Sequence, residues 1–310
     1  MDTRTEPPVY VPLAELTALE GAAAGLQFSA ARRLASVLAG QHGSRLRGRG
    51  LDFAELRRYV PGDDLRQLDA RASLRLGKAF VRSYTEERDR PVMLAVDQRM
   101  DMYFGSVRAF KCAVAARLAA LSAWTAYRHG DRVGGVVLAD TGLTTLRPLR
   151  SRAQVQALLA AVARENAALS ARRPARDATG RLNEALAWLA AHAPHDGLIC
   201  VISDFAGADD ETLRRLRQLS AHNDVIAMLV SDPLARALPD RGRVWVSQGE
   251  AQVELPLGRA SVRTPLADTA ARRLDAVAQW LRRAQVPLLP FTTAEAPLAQ
   301  LRRGLGGGRP

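Results

Sequence analysis

PVMLAVDQRMDM (residues 91–102) is the stretch whose reading decides the fold of this chain. Its first seven residues form an apolar run without polar alternation, the mark of a strand buried on both faces. Asp97 closes that run, and a second carboxylate, Asp101, follows four residues later. Carboxylates in the loop after a buried strand are suited to hold a hard divalent cation through oxygen ligands. Arg99 stands between them with the opposite charge.

Working downstream, VRAFKCAVAARLAALSAWTAYRHG (107–130) is apolar almost all round and predicts a mostly buried helix. DRVGGVVLAD (131–140) reads as a strand, and the Asp140-Thr141-Gly142 turn leads to an antiparallel partner in LTTLRPL. A helix over 151–166 has Ser151 as its N-cap, and another spans 180–193. GLICVISD (197–204), a helix over 209–222 and DVIAMLVSD (224–232) continue the alternation. RVWVSQGEAQVELPL (243–257) predicts an exposed hairpin about Gly249. A helix over 267–285, a short strand over 286–291 and a frayed tail, LRRGLGGGRP, complete the pass. Strands alternating with helices predict an α/β fold, a doubly wound and mostly parallel sheet with helices on both faces. Function in such sheets gathers at the carboxyl ends of the strands, so Asp97 and Asp204 are expected to share one edge.

Upstream, residues 1–40 read as an N-terminal helical segment, two short helices parted near Gly21–Gly25. Residues 41–90 form a basic segment, and 91–303 the α/β domain, with a small β extension at about 243–264. The net charge is +12 and the pI about 10.9. Positive charge is concentrated over 45–82, where ten basic residues face five acids. Aromatic residues make up only 5% of the chain, too few for base-stacking platforms, so an acidic protein partner is favoured over nucleic acid. Cys112 and Cys200 lie within apolar runs and are expected to be reduced and buried. With no membrane-length apolar segment and no signal-peptide pattern, the expectation is a cytoplasmic protein.

The block RGRGLDFAELRRYVPGDDLRQLDARASLRLGKAFVRSYTEERDRPVMLAVD resembles the signature of a bacterial family known as domain of unknown function 58. Arg57, Tyr59, Pro61, Gly62, Asp63, Asp64, Arg66, Asp69 and Arg71 stand at that pattern's places, as do Asp52 and Phe53. YFGSVRAFKCAVAARLAALSAW, GDRVGGVV, VISDF and VSDPLARALP extend the likeness over roughly 13–295. Ala70 departs from the tryptophan the family usually carries there. The resemblance implies a von Willebrand factor A-like domain and partnership with a MoxR-type AAA+ ATPase that assists maturation of protein complexes or metalloenzymes. It also implies a metal loop of the form Asp-x-Ser-x-Ser, a threonine from a second loop and an aspartate from a third. Here Arg99 and Asp101 fall on the two serine places, Gly180 falls on the threonine place beside Thr179, and Asp204 supplies the third aspartate.

Three arrangements are open. Asp97, Asp101 and Asp204 could form a rebuilt carboxylate site for Mg²⁺. Arg99 could instead fold into the vacancy and pair with Asp97 or Asp204, leaving the site metal-free. In the third arrangement Arg99 faces solvent and the loop is only a strand-to-helix turn. For the PGDD block, a structural ion-pair cluster and a partner-contact surface are compatible readings.

No catalytic constellation assembles from the sequence. The histidines are scattered, VISDF lacks the context of a hydrolase nucleophile elbow, and neither RGRG nor GLGGG has the strand–loop–helix setting of a phosphate loop. The expectation is a non-enzymatic interaction module, adaptor or co-chaperone to a MoxR-type ATPase, with an unidentified client and no cofactor. A basic nucleic-acid-binding protein and a divalent-metal-dependent adhesion domain are the alternatives.

Overall fold

The structure is a computed structural model that describes residues 9–28, 51–60, 68–86, 90–172, 178, 180–235, 238, 243–248, 251–256 and 258–305. Two compact units make up the chain: one is Gln41–Asp89, and the other joins Met1–Gly40 to Arg90–Pro310.

Within the smaller unit, β1 (Leu51–Arg58) pairs antiparallel with β2 (Phe80–Glu86). Between them lies a short helix over Ala70–Leu76. Asp69 caps that helix by accepting a 2.9 Å bond from the Ala72 amide. Gly77, at φ 67°, ends it in the left-handed conformation that glycine adopts without strain.

The larger unit is built on six strands in the order β10-β7-β6-β3-β4-β5. These are β3 (Pro91–Asp97), β4 (Arg132–Ala139), β5 (Gly142–Leu149), β6 (Leu198–Ser203), β7 (Asp224–Ser231) and β10 (Leu288–Thr292). All neighbours run parallel except β4 and β5, the hairpin partners. A separate antiparallel pair, β8 (Arg243–Gln248) and β9 (Ala251–Pro256), forms the predicted hairpin; Gly249 lies outside the described residues.

Numbered along the chain, the helices are α1 (Leu13–Ala22), α2 (Ala70–Leu76, above), α3 (Lys111–Arg128), α4 (Arg152–Ala168), α5 (Arg181–His192), α6 (Asp210–Ser220), α7 (Ala260–Arg283) and α8 (Pro297–Gly304). Every residue of β3 is buried, and its side chains alternate between two cores. Val92, Leu94 and Val96 pack with α1, α3, α4 and α8, whereas Met93 and Ala95 pack with α5, α6 and α7. That two-sided burial explains why the run carries no polar alternation. At Gly135 any Cβ would collide with the Leu94 carbonyl, which accounts for a glycine inside β4.

Four expectations need correction. The N-terminal segment does not stand apart from the α/β domain. Leu16 is wholly buried, its carbonyl accepts from Trp124 Nε1 at 3.1 Å, and Val11 N donates to Asn166 Oδ1 at 2.8 Å. The second N-terminal helix falls largely outside the described residues. The buried helix begins at Lys111, not 107, because Ser106 is bound elsewhere (below). The β extension ends at Pro256, and α7 starts at Ala260 instead of 267. Pro265 lies inside this helix, in its second turn, where it removes one intrahelical donor. Finally, the first part of the tail is ordered as α8, with Pro297 at its first turn and Leu301 and Leu305 in the core. No helix among the described residues is long and apolar enough to cross a membrane.

Candidate functional site at the carboxyl edge of the sheet

The chain leaves β3 for β4 on one side, and the later strands add on the other side beginning with β6. A crevice at that reversal is where open α/β sheets bind ligands. Asp97 ends β3 there, and Ser203 ends β6.

Arg99 is wholly buried and turns back onto Asp97. Asp97 Oδ1 accepts from the Arg99 amide and from Nε, each at 3.0 Å. Oδ2 accepts from Arg99 Nη2 at 2.7 Å and from Ser203 Oγ at 2.6 Å. A carboxylate offers about four lone-pair directions, so both oxygens are fully engaged. The guanidinium also donates from Nη1 to Ala178 O and from Nη2 to Ala206 O, each at 3.2 Å. One buried cation thereby ties the loop after β3 to the loop before α5 and the loop after β6. Burial alone would favour loss of its proton; Asp97, with Asp204 and Asp101, outweighs that and holds the Arg99 pKa above its ordinary value.

Asp204 has cations of its own. Its Oδ2 meets Lys111 Nζ at 2.5 Å, from the first turn of α3, and Arg273 Nη2 at 3.2 Å, from α7. Oδ1 accepts from the Ala206 amide at 2.9 Å. Burial opposes ionisation, yet Lys111 and Arg273 hold the Asp204 carboxyl below the usual range. The turn that aims Asp204 is held by Ser203 Oγ, which accepts from Phe205 N at 2.8 Å, with Phe205 at φ 55°.

Asp101 lies in the 3₁₀ turn Met100–Met102 and reaches the surface. Partial desolvation and repulsion from Asp204 and Asp97 push its carboxyl above the usual range, against Arg99 and Lys111. The carboxylates of Asp97 and Asp204 are each already matched to a cation from the protein. Among the described residues no group of three or more His, Cys, Asp or Glu side chains is placed to hold a metal ion. The residues as arranged do not fit a divalent ion at Asp97, whose oxygens have no lone pair left to coordinate it. Gly180 is the residue before α5, and Thr179 lies outside the described residues.

A third carboxylate marks the same edge. Asp232, after β7, is 4% exposed and accepts from Ser106 N at 2.8 Å, Ser106 Oγ at 2.5 Å, Leu234 N at 2.9 Å and Thr293 Oγ at 2.5 Å. It clasps the loop that precedes α3, leaving Phe104 and Val107 exposed. Behind the site, Gln98 donates to Cys112 O at 3.0 Å and accepts from Asn166 Nδ2 at 3.1 Å.

Of the signature residues, Tyr59 donates its amide to Ala79 O at 2.9 Å, Asp69 caps α2, and Arg71 is exposed on α2. Pro61, Gly62, Asp63, Asp64 and Arg66 lie outside the described residues, as does the Arg57 side chain. Sequence reasoning passed over Ser203, Lys111 and Arg273. Lys111 carried a signal, as one of two lysines in the chain and set at the head of an apolar helix. Arg273 carried none, since it is one of many arginines on an amphipathic helix.

Residues 55–275 match the model of a family described as "Protein of unknown function DUF58". Relatives include the uncharacterized proteins Mb1516 of Mycobacterium bovis and Rv1480 of Mycobacterium tuberculosis. Each is 29% identical over 286 residues, covering 92% of this chain and 88% of the relative. Similar solved structures include BatB from Bacteroides thetaiotaomicron, at TM-score 0.40 and 13% identity, covering 69% of this chain and 95% of that one. An aerotolerance-related membrane protein from Bacteroides fragilis gives TM-score 0.38 at 13% identity, covering 70% of this chain and 98% of that one.

Proposed function

The chain belongs to the DUF58 family, and from that premise we propose that it is a non-enzymatic protein-interaction module, an adaptor or co-chaperone of a MoxR-type AAA+ ATPase. Its scaffold is a von Willebrand factor A-like domain in which the Arg99 guanidinium takes the place of a cation at Asp97. The strand order and the position of Asp97 and Asp204 at the reversal of that order support this reading. The observation that carries it is the Arg99 guanidinium, which satisfies Asp97 and bridges three loops. An edge held together in this way presents a preorganised surface, and preorganisation reduces the ordering cost of binding. Chemistry is disfavoured there, because Asp97 is saturated with donors and Asp204 is held ionised by two cations.

The test is co-purification of the tagged chain with the MoxR-type ATPase encoded nearest its gene, with ATP, with ADP and without nucleotide. Association that depends on nucleotide is expected. No association in any of the three states would overturn the proposal.

A further inference from the structure

A groove of about 350 Å³ runs between the loop after β6 and helix α7, beside Asp204. Its floor is apolar: Val277 is 7% exposed, Ala208 and Trp280 are half-buried, and Ala276 is open to solvent. At its mouth stands Arg273, whose side chain is 48% exposed and gives one Nη to Asp204. A guanidinium has five donors, so most of its hydrogen-bonding capacity faces outward.

The surroundings favour negative charge. Among the described side chains, α6 with its N-cap Asp209 carries three arginines against three acids, and α7 four against two, which leaves the pair net positive through α7. Arg214 and Arg215 share Glu211, while Arg217 donates to a backbone oxygen, Arg283 O at 3.1 Å. A small apolar pocket with one well-placed cation at its rim, set in a basic helix pair, is complementary to an apolar anchor carried on an acidic segment.

We propose that this groove is the docking site for an acidic segment of a protein partner, with an aromatic side chain in the groove and a neighbouring carboxylate on Arg273. The inference rests on the interaction-module reading and names the surface that would serve it. Aromatic anchors suit the site because one ring buries a large area at low entropic cost. The carboxylate supplies orientation, since the planar guanidinium can accept it bidentately while keeping Asp204.

The test uses a fluorescein-labelled peptide, Glu-Glu-Asp-Phe-Glu-Glu, read by anisotropy against the full chain. Controls are the same peptide with Phe replaced by Ala, and one with every acid replaced by Lys. Two variants probe the groove: Ala276→Phe, which fills it without touching Asp204, and Arg273→Gln, which removes the rim charge. Thermal melts establish that both variants fold. The acidic Phe peptide is expected to bind, with a loss of about tenfold or more in Ala276→Phe and a smaller loss in Arg273→Gln, as rim charges contribute less than buried anchors. Equal binding by the Lys peptide, no binding by the acidic one, or binding unchanged in Ala276→Phe would each overturn the proposal.

The ATPase assay separates this inference from the broader one. Absence of the peptide interaction, with co-purification of the ATPase intact, would remove the groove and leave the adaptor role standing. Peptide binding in the groove with no ATPase association would do the reverse.

Discussion

Replacing Arg99 is the most informative perturbation the structure offers. Its Nη2 lies 2.7 Å from Asp97 Oδ2, with both side chains wholly buried. Opposite unit charges at that separation attract by roughly 6 kcal/mol at an effective dielectric constant of about 20. Against this stands a desolvation cost of several kcal/mol for each ion. The pair is therefore close to balanced as a unit and costly to break. Arg99→Met leaves the Asp97 carboxylate buried with only the residue-99 amide and Ser203 Oγ as donors. It also leaves Ala178 O and Ala206 O without the guanidinium. The expected loss is about 3–5 kcal/mol. Asp97→Asn is expected to lose a similar amount by stranding the guanidinium. The double variant should recover most of it, giving a coupling energy of about 3 kcal/mol in a double-mutant cycle. Urea unfolding at neutral pH, followed by tryptophan fluorescence, measures all four corners. Millimolar Mg²⁺ should leave the native protein unchanged. Arg99→Ser would place a hydroxyl between Asp97 and Asp101, and there Mg²⁺ is expected to restore stability, by about 2.7 kcal/mol at a hundredfold excess over Kd. Coupling below about 1 kcal/mol, or a native protein stabilised by Mg²⁺, would refute the idea that the guanidinium replaces the ion.

Three further outcomes follow from the neighbouring carboxylates. Because the folded-state pKa of Asp204 is depressed, its ion pairs stabilise the protein above the ordinary aspartate range, about 3.9, and that contribution is lost as pH falls through the folded value. Asp204→Asn should cost about 3 kcal/mol at neutral pH, with the difference from the native protein closing in acid; a gap that persists there would contradict the assignment. Asp101 has the opposite sign: its raised pKa means that the carboxylate costs stability once ionised, so Asp101→Asn should raise the neutral-pH melting temperature, and a lowered one would count against the electrostatic picture. Asp232→Ala removes the acceptor of four hydrogen bonds. It should cost at least about 2 kcal/mol and accelerate hydrogen exchange at the Ser106 amide, and unchanged exchange would show that the clasp does not hold the loop.

Much of this architecture was legible because burial leaves a local imprint. Strands shielded on both faces read as unbroken apolar runs, as in PVMLAVD and GLICVIS, and amphipathic helices repeat at their own period. Ser151 was readable as a cap, since its side chain bonds Gln154 N three residues on. The errors arose where a local signal met a distant partner. Ser106 is held out of α3 by Asp232, 126 residues away. The helix expected from 267 begins at Ala260 and runs through Pro265, so its first turns were not legible from periodicity. Residues 297–304 lack a long apolar stripe, and their helix is secured by burying Leu301 against the sheet.

The candidate site divides in the same way. The alternation of strands and helices by itself determined that Asp97 and Asp204 would end strands of one sheet and meet at its carboxyl edge, because parallel βαβ units bring like ends together. It left three fates for Arg99, since a charge between two carboxylates in sequence has no fixed direction in space. Only the tertiary structure decided among them: side-chain rotamers and the convergence of three loops put the guanidinium on Asp97 and handed Asp204 to Lys111 and Arg273. These choices depend on residues 79 to 107 positions from Arg99, beyond the reach of any periodicity.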